Sequence, residues 1–428
     1  MPDGTDRTTA VVGSGVAGLT AAHILARTRR VVLYEADDRP GGHAHTHDVA
    51  SADGRVHRVD SGFIVHNRRT YPNLLRLFGE LGVPTQESEM SMSVHCEGCG
   101  LEYAGARGPR GLFAQPRNAL RPPYLRMLAE VPRFHRAARR LLATADQGDG
   151  AASLTFGEFL ARGRFSPYFV AHFATPLVAA VWSCDAATAR TYPAVHLFRF
   201  LAHHGMLAVG GSPVWRTVTG GSRTYVDRIT KNLDAVHTAT PVRSVRRCEG
   251  GGVDITTDRL GTVRHDAVVI AVHPDQALDL LADADRSERE ILGAFRYTPN
   301  TTLLHTDTRV LPRATGARAS WNYLMPHCAS DSGAVRVSYD MNRLQRLDAP
   351  ERYLVTLGGT DRVEPSRVLA RMTYAHPVFT PESVAAQHRL PELNGPVTAF
   401  AGAYHGWGFH EDGCRAGVAA AAALGVPW

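Results

Sequence analysis

The stretch TAVVGSGVAGLTAAHILARTRRVVLYEADDRPGGHAHTH, residues 9–47, predicts one complete βαβ unit whose first turn can hold a pyrophosphate. An apolar run leads into a glycine-rich turn, an alanine-rich helix follows, and a second apolar run ends at Tyr34. Gly13 permits the tight turn, Gly15 lets the backbone approach a phosphate, and Gly18 packs the helix against the strand. The amides at the N-terminus of this helix favour anions. We therefore predict cofactor contacts at the turn residues Gly13, Ser14, Gly15, Ala17 and Gly18.

Glu35 follows the second strand, seventeen residues after Gly18. A carboxylate at this place accepts hydrogen bonds from the adenosine ribose, which favours a dinucleotide whose ribose carries no extra phosphate. We count Glu35 and the adjacent Ala36 as cofactor contacts. The alternative is a glycine turn that arose by chance, but the strand, the helix and the acidic residue all agree with a dinucleotide site.

Length, composition and net charge limit the number of domains, the kinds of partner and the location that we expect. With 428 residues and 44% hydrophobic side chains, the chain can form two domains and bury a large core. The formal net charge is +6 without a dense basic tract, so we expect no nucleic acid partner, whereas attraction to an anionic membrane or an acidic substrate stays open. No apolar run reaches the ~18 residues of a membrane span, and the first residues contain no signal peptide. We expect a cytoplasmic protein, with peripheral contact to the membrane as an addition.

The cysteines predict no metal site. Six cysteines are few for this length, so we expect reduced thiols rather than a disulfide framework. Cys96 and Cys99 form a single C-x-x-C pair, and a structural zinc site would need two more ligands that no second pair supplies. We predict a hairpin tip there, with metal or redox use as the alternative. His43, His45 and His47 alternate along a strand, but no carboxylate or cysteine cluster accompanies them.

Two segments near the N-terminus and one in the middle of the chain resemble the amine oxidase and phytoene desaturase flavoproteins. Residues 39–43, RPGGH, are similar to their R-x-G-G-R loop, with His43 in place of the usual arginine. Residues 59–64, VDSGFI, resemble the segment in which a strand returns against the flavin, and residues 219–225, TGGSRTY, resemble the glycine turn that re-enters the cofactor domain. The resemblance implies bound FAD, with contacts at Gly42, His43, Gly62, Phe63, the backbone of Val242 beside adenine, and Ala271 at the end of a strand that closes over the nucleotide.

Residues 397–413, VTAFAGAYHGWGFHEDG, with the alanine-rich helix after them, resemble the C-terminal flavin motif of the same proteins. In that motif the helix amides face the isoalloxazine carbonyl and stabilise negative charge on the reduced flavin. Ala403 stands where many relatives carry an acid. The resemblance implies cofactor contacts at Gly402, His410, Glu411 and Asp412, and Glu411 or Asp412 also suits the helix start as a cap.

Together with residues 339–345 (YDMNRLQ) and 376–379 (HPVF), these motifs resemble one subgroup of the superfamily. Its members are encoded beside methyltransferases of the cyclopropane fatty acid synthase type and are similar to the N-terminal domain of plant cyclopropane synthases. The resemblance implies an α/β fold, with a Rossmann-type FAD-binding domain and an inserted mixed α+β substrate domain. We assign residues 1–70, 208–284 and 392–428 to the FAD-binding domain, and 71–207 and 285–391 to the substrate domain.

The resemblance also implies an oxidoreductase linked to lipids, and we expect FAD to accept hydride from an apolar substrate such as an acyl chain. A base is needed if a proton leaves as well, and His66, His405 and His376 are candidates in that order. Tyr404 and Trp407 are expected to wall the flavin face, Tyr404 as a catalytic group. A packing role is the alternative for each of these residues.

Two other functions stay open. The first is a flavin-containing partner of a lipid methyltransferase without turnover of its own. The second is a monomeric amine oxidase or a carotenoid desaturase. Many amine oxidases place a lysine near the flavin through a water, but Lys231 is the single lysine of this chain and lies in the predicted adenine half, which disfavours amine oxidase chemistry.

Longer helices are predicted between Pro72 and His204, and one of them is basic. Residues 124–145 have apolar side chains at helical spacing with arginines between them, and Pro132 is expected to kink this helix. A basic amphipathic helix can lie on an anionic membrane, and an ordinary solvated helix face is the alternative. The candidate membrane contacts are Arg126, Arg133, Arg136, Arg139 and Arg140. From residue 284 to 391 we expect five or six strands that roof the flavin.

Overall fold

The computed structural model describes residues 7–145, 154–208, 210–328 and 333–428. Strands and helices alternate in the first and last parts of this range, and helices dominate between Pro116 and His203. The strands are β1 (Thr8–Val12), β2 (Arg30–Tyr34), β3 (Thr46–Ala50), β4 (Val56–Asp60), β5 (His66–Asn67), β6 (Thr85–Glu87), β7 (Met92–Cys96), β8 (Leu101–Ala104), β9 (Trp215–Val218), β10 (Ala235–His237), β11 (Val242–Arg247), β12 (Val253–Thr257), β13 (Gly261–His265), β14 (Ala267–Ile270), β15 (Arg296–His305), β16 (Trp321–Met325), β17 (Val337–Asp340), β18 (Leu354–Leu357), β19 (Val368–Val378) and β20 (Thr398–Phe400). The helices are α1 (Val16–Leu25), α2 (Pro72–Leu81), α3 (Gly108–Leu112), α4 (Pro122–Ala145), α5 (Phe156–Arg162), α6 (Pro167–Phe169), α7 (Thr175–Trp182), α8 (Ala186–Thr191), α9 (Ala194–His203), α10 (Arg223–Thr230), α11 (Pro274–Leu280), α12 (Arg286–Leu292), α13 (Met341–Leu344), α14 (Pro381–Arg389) and α15 (His410–Ala423).

A parallel five-stranded sheet with the order β10-β2-β1-β14-β20 carries the predicted βαβ unit. Strand β1 pairs in parallel with β2 on one side and with β14 on the other. Both faces are covered, since Val11 packs in one core cluster with α1 and α15, and Ala10 and Val12 pack in another on the opposite face. Strands buried on both faces are expected to be continuously apolar, as β1 and β14 are. The predicted Rossmann-type arrangement is confirmed.

The antiparallel meander consists of β11, β12 and β13. The stretches 241–245 and 253–256 of the sequence predict its first two strands, and the stretch 266–271 predicts the third. The third assignment is wrong, because residues 267–270 form β14 and pair with β1 and β20 inside the parallel sheet. The four consecutive buried residues of β14 explain the difference, since β12 of the meander alternates in burial and β14 does not.

A mixed seven-stranded sheet with the order β19-β15-β18-β17-β16-β7-β8 forms the second large sheet. Five of its strands come from residues 296–378, as the sequence predicted, and the hairpin β7–β8 adds two strands through parallel pairing of β7 with β16. Helices α4 to α9 pack beside this sheet around a core rich in phenylalanine, which includes Phe134, Phe156, Phe169 and Phe198.

Helix α4 confirms the predicted basic helix but continues through Pro132. Its buried side chains lie at helical spacing. The helix from Pro167 to Trp182 contains a π turn at Val170–Ala174, between α6 and α7. In the four described ranges, no helix is both long and apolar enough to cross a membrane.

The predicted domain boundaries cut through one packed cluster. Helices α12 and α14 lie in the segment assigned to the substrate domain, yet Ile291 and Ala386 pack in the same cluster as Val245 of the meander and Phe400 of the parallel sheet. The division into two domains therefore stays a prediction, and these two helices contribute to the core beneath the nucleotide-binding sheet.

Candidate active site

The glycine turn after β1 is closely packed on one side and open on the other. Gly13 has a φ of +96°, and a Cβ there would lie 2.7 Å from the carbonyl oxygen of Ala271. A Cβ on Gly18 would overlap the carbonyl oxygen of Gly13. At Gly15, in contrast, an added Cβ meets no atom of the described residues within 4 Å. Gly13, Gly18 and Ala271 therefore hold the turn together, and the space above Gly15 is free for a phosphate, as a dinucleotide site requires.

Arg39 lies in the loop that folds over this turn. Its Nη2 donates to the carbonyl oxygen of Gly42 at 2.9 Å, whereas Nη1 is buried without a hydrogen-bond partner in the described part of the chain. A Cβ on Gly42 would lie 3.1 Å from the Cα of Gly15, so the loop comes close to the turn. A buried guanidinium donor without a partner suits an anionic phosphate. Arg39 belongs to the loop RPGGH but was not predicted from the sequence as a cofactor contact.

Glu35 connects the end of β2 with the glycine turn. Its carboxylate accepts hydrogen bonds from the amides of Ser14 and Asp37, each at 2.9 Å, and from the Ser14 hydroxyl. The hydroxyl oxygen of Ser14 also accepts from the amide of Gly41 at 2.9 Å. Ala36 is exposed and follows Glu35 directly. The amide of Thr240 donates to the carbonyl oxygen of Glu35, so the start of β11 at Val242 lies near Glu35. The predicted ribose and adenine contacts therefore lie together.

His43, Gly62, Phe63 and His410 form a second group. The amide of Phe63 donates to the carbonyl oxygen of His43 at 2.7 Å, and a Cβ on Gly62 would overlap that same oxygen. The Phe63 ring stacks on His410 with centroids 3.6 Å apart. Burial is the main cause that lowers the pKa of His43 to about 3 and the pKa of His410 well below its usual value, so both imidazoles are neutral at pH 7.

Helices α1 and α15 pack closely enough to place their N-termini side by side. A Cβ on Gly413 would lie 2.7 Å from Cγ1 of Val16, and a Cβ on Gly417 would overlap the carbonyl oxygen of Ala17. The first amides of a helix have no partner inside that helix. The N-terminus of α1 therefore presents such amides at the glycine turn, and the N-terminus of α15 presents them beside it, after Gly402. This pairing fits a cofactor with a pyrophosphate at one end and an electron-accepting ring at the other.

The two carboxylates at the start of α15 have different partners. Asp412 accepts from the amides of Trp407 at 3.0 Å and Phe409 at 3.1 Å, so it caps its own helix as predicted. Glu411 instead accepts from the amides of Asn73 and Leu74, at 3.1 and 3.0 Å, and caps α2. Of the two residues predicted as alternatives for the cap of α15, Asp412 has that role, and Glu411 caps α2 because that helix supplies free amides that no local sequence signal shows. Burial raises the pKa of Asp412 to about 6.

The three candidate catalytic groups do not come together. His66 is fully buried beside Phe78, with both ring nitrogens unpartnered within the described residues, and burial lowers its pKa to about 4. Tyr404 packs on Phe295 in the cluster on the opposite face of the parallel sheet. The His405 ring lies 4.7 Å from the Tyr404 ring, and burial lowers its pKa to about 4. The geometry therefore separates His66 from the other pair.

Side chains of the seven-stranded sheet cover the His43 loop. The rings of Tyr374 and His376, both on β19, lie 4.8 and 5.7 Å from the ring of His43. The Tyr374 hydroxyl hydrogen-bonds to Ser61 at 2.7 Å and to His45 at 2.9 Å. The strands that were expected to roof the flavin thus contact residues 43, 45 and 61 through Tyr374 and His376.

An aromatic wall lies between the start of α15 and the helical part of the chain. The Phe409 ring stacks on Phe200 at 4.6 Å, and the Trp407 ring lies 5.4 Å from that of His203. Trp182 donates its indole N–H to the carbonyl oxygen of Trp407 at 3.2 Å, which anchors the loop. Trp407 was predicted to line the flavin face, whereas Phe409 was not. Its position between two predicted site residues, Trp407 and His410, could have indicated it.

Asp60 joins three motifs that the sequence analysis found separately. It accepts hydrogen bonds from the amide of Ser222 at 2.9 Å, from the hydroxyl of Thr46 at 2.6 Å and from the side-chain amide of Gln345 at 2.9 Å. Burial is the largest cause that raises the pKa of Asp60 to about 6. The sequence did not single out this buried carboxylate, because Ser222 and Gln345 lie 162 and 285 residues away along the chain.

The Cys96–Cys99 pair lies at a hairpin tip, as predicted, but it is not isolated. His172 and Cys328 join it, and one ligand atom from each of the four side chains lies within 4.8 Å of all the others. The expectation that no further ligands accompany this pair is wrong, because C-x-x-C spacing reports only neighbours along the chain. Elsewhere in the described ranges, no comparable group of histidine, cysteine or acidic residues occurs, including at His45 and His47.

Comparisons with known proteins agree with this geometry. A solved structure of putrescine oxidase bound to putrescine superposes with a TM-score of 0.67 over 98% of both chains at 17% identity, which shows a shared fold. A carotenoid phi-ring synthase of Streptomyces griseus is 32% identical over 310 residues, 68% of this chain. A putrescine oxidase of Kocuria rosea is 30% identical over 298 residues, 63% of this chain. Each match spans 57% of the relative's own length.

The match to a whole family covers more of the chain than either relative does. Residues 16–425 match the family of flavin containing amine oxidoreductases. This range includes the glycine turn from Val16 onward, both large sheets and helix α15. The chain therefore belongs to the flavin containing amine oxidoreductase family.

Proposed function

We propose that this protein removes hydride from an apolar substrate, and that a lipid acyl chain is its substrate class. Bound FAD supplies the hydride acceptor. The residues of the chain supply orientation, a dry pocket and the groups that hold or move a proton. The observation that carries the proposal is the aromatic wall of Trp407, Phe409 and Phe200 beside the start of α15.

The carboxylates near this wall support an apolar substrate. A free carboxylate is one group that can replace the hydration of a cationic amine. Glu411 is held by two amides of α2, and Asp412 is held by two amides of the segment before its own helix and by Arg415 at 3.0 Å. Neither carboxylate is therefore free for an ammonium group.

Lys231 gives a second argument against amine oxidation. It is the only lysine of the chain, and it lies exposed at the C-terminal end of α10, which packs on α1. It cannot take the place of a lysine beside the reactive ring. The relative named carotenoid phi-ring synthase supports an apolar substrate as well.

His66 is the candidate proton acceptor. Its ring nitrogens have no partners within the described residues, and its lowered pKa keeps it neutral at pH 7. A neutral imidazole can accept a proton, and its low pKa makes it a weak base in the protein as it stands. Tyr404 lies in the core on the other face of the sheet, so we propose a packing role for it.

We further propose that the acyl chain is reached at an anionic membrane surface. Leu120 is 85% exposed and Leu125 is 42% exposed, next to the exposed arginines of α4. Arg133 differs from the others, because it lies over the Phe165 ring at 4.3 Å and donates to Glu130 at 2.9 Å. The membrane contacts are therefore the two leucines with Arg126, Arg136, Arg139 and Arg140. A lipid methyltransferase as partner fits the same proposal.

The chemistry is tested by anaerobic reduction of the flavin. The purified protein is mixed with phospholipids that carry unsaturated or methylated acyl chains, with a carotenoid, and with putrescine, and the flavin absorbance is followed. We expect bleaching by one acyl-chain class and none by putrescine. Bleaching by putrescine alone would replace the proposal with amine oxidation, and no bleaching by any of them would favour a non-catalytic partner role.

The membrane contact is tested by co-sedimentation with vesicles of anionic and of neutral phospholipid. Changing Arg126, Arg136, Arg139 and Arg140 to glutamine should weaken anionic binding more than about tenfold, since each basic residue near such a surface adds ~1 kcal/mol. The matched control removes four exposed arginines elsewhere, Arg259, Arg286, Arg289 and Arg296. Equal loss in both variants, or no binding of the unchanged protein at low salt, would contradict the contact.

A further inference from the structure

The hairpin β7–β8 and two segments far from it meet at a cluster of three thiols and one imidazole, which we call the Cys/His cluster. Its members are Cys96, Cys99, His172 and Cys328. The Sγ atoms of Cys96 and Cys328 are 3.7 Å apart, and Sγ of Cys99 is 3.6 Å from Nε2 of His172. We propose that this cluster binds one zinc ion as a closed structural site.

These two distances match two edges of a zinc tetrahedron, and the other pairs of ligand atoms lie within 4.8 Å of each other. With Zn–S bonds of about 2.3 Å and Zn–N bonds of about 2.05 Å, tetrahedral angles place two sulfurs about 3.8 Å apart and a sulfur and a nitrogen about 3.6 Å apart. Three thiolates and an imidazole are also a donor set that selects zinc among the common divalent metals. Four protein ligands leave no open position for a substrate, so the site stabilises the fold and is not a second catalytic centre.

The imidazole of His172 is oriented for this role. Its Nδ1 lies 3.1 Å from the carbonyl oxygen of Tyr168, so Nδ1 carries the proton and Nε2 is left as the ligand atom. A backbone carbonyl in this position is the usual outer partner of a zinc-bound histidine. His172 lies in the π turn Val170–Ala174, a local irregularity of the kind often found at functional sites.

The backbone of the hairpin tip lies very close to the loop that carries Cys328. A Cβ on Gly98 would lie 2.9 Å from Cα of His327 and 3.0 Å from the amide nitrogen of Cys328. Only glycine lets the hairpin tip reach that loop. Arg121 donates to the carbonyl oxygen of Cys99 at 3.2 Å, and its charge offsets the net −1 of a zinc ion with three thiolates.

The four members of the cluster differ in burial. Cys96 and His172 are buried and Cys99 is half-buried, whereas Cys328 is exposed and provides the side from which a metal can enter. Among the described residues, Nε2 of His172 is paired with the sulfur of Cys99 at 3.6 Å, which is a weak hydrogen bond. A metal ion satisfies all four groups at once, and it fastens the hairpin to the helical part of the chain.

The first test is the metal content of the flavin-loaded protein, purified under reducing conditions and passed into metal-free buffer. We expect close to one zinc per chain by mass spectrometry of the elements. Cys328→Ser should lose most of that zinc and keep its flavin absorbance, because this exposed ligand is the one whose change disturbs packing least. Cys248→Ser, at a cysteine outside the cluster, is the control and should keep the zinc.

The second test does not depend on any variant. Replacing the metal with cobalt should give the visible bands of a tetrahedral thiolate site, at wavelengths longer than those of the flavin, and a chelator should lower the melting temperature.

A thiol titration in denaturant with chelator should find all six cysteines as free thiols. Four thiols would show a disulfide in place of the site and overturn the proposal, as would a protein that binds neither zinc nor cobalt, or a Cys328→Ser variant with a full equivalent of zinc.

Discussion

The nucleotide site and the Cys/His cluster are built from different groups. At the glycine turn the backbone does the binding, and Gly13, Gly15 and Gly18 act through the absence of side-chain atoms. In the Cys/His cluster four side chains meet across separations of 73 and 232 residues. The difference teaches that the first site fails when atoms are added and the second fails when atoms are removed, so each needs its own kind of mutation.

The largest effect is expected from adding atoms at the glycine turn. Gly18→Val should prevent stable folding, because even its Cβ would overlap the carbonyl oxygen of Gly13. Gly15→Val should fold, because its φ of −64° suits any residue and no described atom lies within 4 Å of the added Cβ, yet it should lose nearly all flavin. Flavin absorbance and circular dichroism of the two purified variants separate these outcomes. A flavin-loaded Gly15→Val protein would show that the phosphates lie elsewhere.

The next effect is loss of stability in acid, and it arises from buried histidines that lie outside the Cys/His cluster. Burial lowers the pKa of His66, His376 and His405 to about 4 from a usual value of 6.5. A lowered folded-state pKa stabilises the protein above pH 6.5, and this contribution is lost as the pH falls toward 4. The same shift affects His47, His196, His204 and His305.

Two carboxyl groups act in the opposite direction. The raised pKa of Asp60 and of Asp412, each about 6, favours the folded state below pH 3.8 and loses that effect as the pH rises through 6. The histidines outnumber them, so the free energy of unfolding should fall between pH 6.5 and 4. Denaturant melts at several pH values measure it, and a constant unfolding free energy over that range would contradict the buried neutral histidines.

A smaller effect is expected when Glu35 is changed to glutamine. The carboxylate accepts three hydrogen bonds at the glycine turn, and a neutral amide holds both these donors and a ribose less firmly. Hydrogen bonds to charged groups contribute about 1.5–3 kcal/mol, so FAD should bind roughly tenfold to a hundredfold more weakly. Titration of the flavin-free protein with FAD measures this, and an unchanged dissociation constant would rule out Glu35 as the ribose ligand.

The smallest effect is expected for Glu411→Gln. Because Glu411 caps α2 and its charge is engaged by two amides, the variant should lose about 1–2 kcal/mol of stability and keep its flavin. Glu249→Gln, at an exposed site, is the control in the same denaturant melts. Loss of flavin without loss of stability would instead place the Glu411 carboxylate at the cofactor.

Local patterns explain which parts could be predicted from the sequence. Residues 9–47 contain their own strand, turn and helix signals, so the βαβ unit and the place of Glu35 follow from neighbours along the chain. Ser222 and Gln345 lie 162 and 285 residues from Asp60, Leu74 lies 337 residues from Glu411, and Cys328 lies 232 residues from Cys96. Those contacts exist only after the sheets have packed, and no spacing rule contains them.

The strand assignment of residues 266–271 shows a second limit. The segment has the apolar run of a strand, and the sequence predicted a strand there correctly, but an apolar run does not say which sheet it joins. The parallel pairing of β14 with β1 and β20 depends on strands from both ends of the described chain.

The packing of α15 on α1 has a consequence for synthesis on the ribosome. Strand β1 and helix α1 are made before their neighbours β14, β20 and α15, which lie more than about 240 residues later. The nascent chain therefore exposes the apolar face of α1 until α15 has emerged, and contacts of such large sequence separation form slowly. A chain that stops before α15 exposes Val16 and Ala17 permanently, so we expect nascent fragments of this kind to depend on chaperones and to acquire flavin only after α15 has emerged.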